Sequence, residues 1–209
     1  MEMIDVCGRY YLKISIDKLL EKYGIIDNDS DNIPVGEIFP SQHAPIILNE
    51  QNICLKMAKW GFAPSYAKRL IINARAETID KKKTFKGPFY NKRCLIPVSG
   101  FFEWQDKDGK KIKHRIYLKE QEFFSLAGLY EHSLDSSGNR ITEFVIITTE
   151  ANDIIKKIHD RMPVILSKDN EQIWLNNDTD IKHLKDVLRT YPEEGIILEP
   201  VTARLGFDF

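Results

Sequence analysis

Residues 94–105 read CLIPVSGFFEWQ, and the way this stretch divides decides the fold class. Its first five residues, Cys94 to Val98, are mostly apolar, too few for a helix, and closed by Ser99 and Gly100, which is the pattern of a buried strand. Two aromatics then lead into Glu103 and Trp104. Comparable short runs lie on both sides. In 52–62 (NICLKMAKWGF), Ile53, Leu55 and Met57 alternate with polar neighbours, and further strands are predicted at 114–119, 123–129, 143–148 and 196–201. Helical patterns are fewer: 17–23, with Asp17 as N-cap and Gly24 as stop, then 151–159, 169–175 and 180–190. Strands clustered in the middle of the chain with few helices between them predict an antiparallel or mixed α+β fold, not a doubly wound parallel sheet.

The chain has 209 residues, 43% of them hydrophobic and 29% charged, enough to bury a sizeable core. No repeat or Pro/Ser-rich break divides it, so 1–209 is expected to be a single domain. No apolar run approaches the roughly 18 residues that span a bilayer. The start, with Glu2 and Asp5, lacks the basic and then apolar order of a secretion signal, which predicts a cytoplasmic protein. Three widely spaced cysteines (Cys7, Cys54, Cys94) argue against a disulfide framework, and the absence of a CxxC pair or a His/Cys/Asp cluster at ligand spacing predicts no metal and no organic cofactor. Cys54 and Cys94 read as core.

The net charge of −1 conceals an uneven distribution. Residues 81–93 (KKKTFKGPFYNKR) hold six basic groups and no acid, whereas 169–209 hold nine acids against four basic groups. A lysine run is commonly a solvated loop. Here Phe85, Phe89 and Tyr90 lie among the cations, a mixture that suits a groove following a single-stranded nucleic acid, with rings to stack on bases.

Three polar sets stand out from the apolar pattern. In LIINARAETI (70–79), Asn73, Arg75 and Glu77 follow an apolar run at period two and would share one face of a strand. Glu103 sits between large aromatic rings, a setting that raises a carboxyl pKa and suits it to proton transfer near neutrality. In KIHDRMPVIL (157–166), His159 ends a predicted helix before Asp160 and Arg161.

Together and in this order, CGRY (7–10), WGFAP (60–64), NARAET (73–78), RCLIPVSGFFEW (93–104), AGLYE (127–131) and IHDRMPVIL (158–166) resemble the SOS response-associated peptidase family, also called the abasic site processing family. The resemblance implies a single α+β domain around a barrel-like sheet, with flanking helices and a basic groove for single-stranded DNA containing abasic sites. It implies a monomer, and Cys7 as a nucleophile that bonds covalently to the ring-opened sugar. Carried over position by position, Asn73, Glu103 and His159 join Cys7 as catalytic residues. Arg9, Pro40, Trp60, Arg75, Trp104 and Arg161 become DNA-contacting or site-lining residues, and Glu77 a supporting group.

The chemistry explains the set. An N-terminal cysteine offers an amine and a thiol on adjacent carbons; the amine condenses with the sugar aldehyde to an imine, and the thiol closes a lasting five-membered thiazolidine. At ordinary pKa values, about 7.7 to 8.0 for the amine and about 8.5 for the thiol, both groups are mostly protonated at pH 7, so acid/base partners are needed. As written, Cys7 follows six residues and has no free amine. Either residues 1–6 are removed by proteolysis, or Val6 marks the true start, a GTG codon being read as Met and the Met then removed. Two further readings stay open: a cysteine peptidase built on Cys7, His159 and Glu103, and a non-catalytic single-strand-binding module that needs only the basic run and its aromatics.

Overall fold

Arg93–Val98 is buried at every position, which a strand achieves only where both of its faces are covered. The computed structural model describes residues 7–26, 32–135 and 137–201. The segment 1–6, read above as an extension or a misplaced start, lies outside them. In chain order the elements are β1 (Tyr10–Leu12), α1 (Ile16–Tyr23), β2 (Gly36–Ile38), β3 (His43–Asn49), β4 (Ile53–Trp60), β5 (Asn73–Arg75), α2 (Lys83–Asn91) and β6 (Arg93–Val98). There follow β7 (Gly100–Lys107), β8 (Lys110–Leu118), β9 (Phe124–Leu134), β10 (Arg140–Glu150), β11 (Arg161–Pro163), β12 (Ile165–Leu166), α3 (Lys168–Leu175), α4 (Ile181–Val187) and β13 (Ile196–Pro200).

The pairings close a ring. β10 lies beside β4, then β3, β6 and β9 follow, and β9 returns to β10, so five strands form a barrel without a free edge. Four of its contacts are antiparallel, and β4–β10 is parallel, with Phe144 opposite Trp60. Inside, the Trp60 and Phe144 rings stack at 6.2 Å. β5 and β11 attach to β10, and β12 to β9. A second sheet, in the order β13-β8-β7-β1-β2, continues directly from the barrel because only Ser99 separates β6 from β7. Gly100 allows that passage: a Cβ there would stand 2.5 Å from both the Ile116 carbonyl oxygen and Tyr11 Cε1. The mixed α+β class and barrel-like sheet expected from the sequence are the observed architecture.

Local expectations fare unevenly. Helix α1 is capped by the Ser15 side chain, which accepts from the Lys18 N–H, not by Asp17; it ends at Gly24 with φ 64°, as the sequence suggests. No α-helix forms over 151–159. Only a 3-10 turn, Ile155–Lys157, is present, and Asn152 Oδ1 accepts from the Ile155 N–H to start it. The 81–93 run is not a loop either: it enters α2, which turns Phe85 and Phe89 into the core and leaves Lys81, Lys82, Lys83 and Lys86 exposed. Its last cation, Arg93, is buried and donates to the carbonyls of Trp174, Phe89, Tyr90 and Asn176, so it fastens α2 to α3. Cys94 is core, while Cys54 is only half-buried.

Candidate functional site

Where the two sheets join, Cys7 and Glu103 meet. Cys7 forms a turn just before β1, with φ 50°, and is completely buried. Its backbone nitrogen donates to Glu103 Oε1 at 2.6 Å. The carboxylate is placed by β7: Phe101 and Glu103 share the inward face, and Phe102 and Trp104 point away. Burial raises the Glu103 carboxyl to about 8, donation from the Cys7 and Trp104 N–H groups pulls the other way, and nearby Asp160 adds to the rise. Glu103 therefore keeps its proton to a higher pH than an ordinary carboxyl. The Cys7 thiol is also pushed up, first by burial and then by the Glu103 charge.

Strand β5 brings Asn73 and Arg75 alongside β10, opposite Ile146 and Thr148. Asn73 is half-buried and Arg75 exposed. Glu77 does not continue their strand face, because β5 ends at Arg75 and a 3-10 turn, Ala76–Thr78, begins. That turn directs Glu77 to Arg161, whose Nη1 and Nη2 donate to its two oxygens at 2.7 and 3.0 Å. Arg161 Nη2 also donates to the Thr148 carbonyl at 2.7 Å. Burial alone would raise Glu77, but the Arg161 hydrogen bonds hold it below the usual carboxylate range. Arg161 Nε is buried without a partner among the described residues, and Arg9 Nε is likewise.

His159 is placed by a backbone contact: its Nδ1 accepts from the Arg161 N–H at 3.0 Å, so the neutral ring carries its proton on Nε2. Gln105 donates to the Lys157 carbonyl and thereby ties the end of β7 to this segment. Among the described residues no hydrogen bond joins His159 to the Cys7 sulfur.

Arg9 occupies the outer face. Its guanidinium lies 4.1 Å from the centroid of Phe39 and 5.1 Å from that of Trp104, and it donates to Glu37 at 3.2 Å. Glu37 also accepts from Lys113, which lies over the rings of Phe102 and Trp104. Pro40 stands in the turn after β2, half-buried. Trp60 is a correction: it is 0% exposed and offers DNA no face, because its side chain points into the barrel. Its Nε1 donates to the Ile72 carbonyl at 3.1 Å, so it stands behind the site and anchors the residue preceding Asn73. Phe39, Glu37 and Lys113 were missed from the sequence. Alternation along β7 and β8 could have put Phe102, Trp104 and Lys113 on one face, but the pairing of β1 with β2, which brings Phe39 over Arg9, has no signal in residue order.

The chain matches a known family. The model described as SOS response associated peptidase (SRAP) matches residues 6–207. The chain belongs to the SRAP family. SRAP relatives include the abasic site processing protein YoqW of Bacillus subtilis, 40% identical over 205 residues that cover 91% of this chain and 90% of YoqW. The abasic site processing protein YedK of Escherichia coli is 25% identical, covering 84% of this chain and 82% of YedK. Among solved structures, a protein from Bacteroides thetaiotaomicron superposes with a TM-score of 0.84 at 26% identity, covering 95% of this chain and 94% of its own. The SRAP fold is thus shared over nearly the whole chain. No helix among the described residues is long and apolar enough to cross a membrane.

Proposed function

We propose that this protein binds abasic sites in single-stranded DNA and, with Cys7 as first residue after loss of residues 1–6, captures them as a thiazolidine crosslink. One observation carries the reading: the Cys7 nitrogen, the atom that would become the amine, already lies 2.6 Å from a buried carboxyl whose hold on its proton is strengthened by burial. Glu103 can then give its proton to the ring oxygen of the closed sugar, which opens to the aldehyde, and take one back from the amine as it attacks. Water leaves as the imine forms. The thiol adds across the C=N bond, its sulfur to carbon and its proton to nitrogen, and closes the ring. The guanidinium groups of Arg9 and Arg161, partly exposed through their other nitrogens, would meet phosphate oxygens, and Asn73, half-buried on β5, would hold the sugar. His159 Nε2–H provides a further hydrogen-bond donor. The names of the SRAP relatives, abasic site processing proteins, support the substrate.

The thiol's upward shift favours this over a cysteine peptidase, whose nucleophile needs a lowered pKa and a histidine partner. The test compares the full chain with one beginning at Cys7, each incubated with an oligonucleotide carrying one abasic site and run on a denaturing gel. Only the second is expected to give a retarded, heat-stable band; equal bands from both would exclude the amine from the mechanism.

Lys81, Lys82 and Lys83 follow the Glu77 turn and are exposed, so they can extend the phosphate path away from Arg161. Their joint replacement by Ala is expected to weaken binding to undamaged single strands and to flatten the slope of log affinity against log salt by about 0.7 for each phosphate no longer neutralised. An unchanged slope in a salt titration would return these lysines to ordinary solvated surface.

A further inference from the structure

Phe39, in the turn after β2, is left 38% exposed. A single exposed ring carries no message by itself, and its setting has to supply one. The backbone that presents it is firmly held. The Phe39 N–H donates to Gln42 Oε1 at 3.0 Å, and its carbonyl accepts from the Gln42 N–H at 3.1 Å. Ser41, with φ 72°, donates its N–H to the Trp60 carbonyl at 2.8 Å, which ties the turn to the end of β4.

Strand register supplies the setting. β1 and β2 pair with Tyr10 opposite Ile38 and Tyr11 opposite Glu37, so the same register carried one step further puts Phe39 opposite Arg9. The Arg9 guanidinium lies between two rings, 4.1 Å from the Phe39 centroid and 5.1 Å from that of Trp104. Glu37 steadies it at 3.2 Å and leaves its side chain 29% exposed. A cation and an aromatic surface side by side, both open to solvent, match the two parts of one nucleotide: the phosphate meets the guanidinium and the base meets the ring. Arg9 is two residues from Cys7, at most about 7 Å of chain. A nucleotide held here is therefore an immediate neighbour of one whose sugar reaches Cys7.

We propose that Phe39 stacks on the base next to the abasic site while Arg9 holds that nucleotide's phosphate, making Phe39 a further DNA-binding residue. The inference rests on the reading above that the protein binds abasic sites in single-stranded DNA, and does not require the covalent step. An abasic nucleotide interrupts the base stack, so its neighbour has lost a partner on one face. A ring offered to that face restores the lost stacking within the complex. Phe39 thereby recognises the lesion through its neighbour, whereas Cys7 and Glu103 act on the sugar itself. Every base has a π-face, so this contact requires a base at the flanking position and not a particular one.

The test measures binding of the full chain, by fluorescence anisotropy, to single strands carrying one tetrahydrofuran, an abasic analogue with no aldehyde. Ordinary bases flank it, or a second tetrahydrofuran replaces the base on its 5′ or its 3′ side. The expected result is a cycle that does not add. Removing the base on one of the two sides weakens wild type by about tenfold, within the range of one base–ring stack, and leaves Phe39→Ala unchanged. Where both flanking bases are present, Phe39→Ala binds about tenfold more weakly than wild type. Phe39→Leu, which keeps apolar cover over Arg9 without an aromatic face, is expected to behave as Phe39→Ala, and Phe39→Trp to keep the wild-type dependence on the flanking base. Equal losses in wild type and Phe39→Ala when a base is removed overturn the proposal, because the ring would then only hold Arg9 in place. Wild-type behaviour of Phe39→Leu, or indifference of wild type to both flanking bases, also overturns it. Failure of wild type to bind the strand at all overturns the abasic-site reading itself, an outcome distinct from a change confined to the variants.

Discussion

Cys7→Ala, made in a chain that begins at position 7, is expected to give no stable crosslink and yet to cleave the DNA strand at the abasic site. The amine stays on its carbon, and Glu103 still faces it. It can therefore form the imine, but nothing closes the ring. An imine acidifies the neighbouring sugar protons, so the 3′ phosphate leaves by β-elimination, and borohydride added early is expected to trap the protein on the DNA as a reduced amine. Wild type is expected to show the reverse: a stable band and little cleavage. Because the full effect is the presence or absence of a product, the gel decides it without fitting. Normal crosslinking by the variant would move the nucleophile elsewhere, and the other thiols are Cys54, half-buried on β4, and Cys94, buried in β6 with its pKa pushed up.

This expectation could be framed from residue order, and its geometry could not. Apolar periodicity located most strands, because burial writes itself into composition. It missed β3, although His43–Asn49 is buried at five consecutive positions, and it missed the three-residue β1 and β2, which are too short to show a period. The closure of the barrel depends on β4 lying beside β10 across more than eighty residues, a contact no local pattern encodes. The same limit governs the site. Glu103 was legible because its aromatic neighbours are adjacent in sequence. Its contact with the Cys7 nitrogen spans 96 positions and is a product of the fold. The lysine-rich segment shows the opposite failure: aromatics among cations looked suited to stacking on bases, but helical periodicity sends Phe85 and Phe89 inward at i and i+4. Glu77 was expected on the face of Asn73 and Arg75, and the end of the strand instead gives it to Arg161.

Glu103→Gln separates the acid from the scaffold. Gln keeps the size of the side chain and an oxygen that can accept from the Cys7 nitrogen, but it has no proton to give the sugar. Both reacting atoms of Cys7 remain, so crosslinking is expected to persist at a rate lower by roughly 10²- to 10⁴-fold, the usual contribution of a positioned acid or base. The dependence on pH carries the sign. Glu103 is held protonated up to about 8 when the Cys7 nitrogen is an amide, and a protonated amine at the same place draws that value lower. The wild-type rate is therefore expected to lose its acid contribution as pH rises through this range, and the Gln variant to lack that falling limb. His159→Ala removes the second donor and also the acceptor that fixes the Arg161 N–H. Its crosslinking is expected to slow as well, but with the Glu103 limb retained. A time course of covalent product across pH for the three proteins makes the distinction: a falling limb that survives in Glu103→Gln would assign the proton to another group, and full-speed crosslinking by both variants would leave the pair to hold the site in shape only.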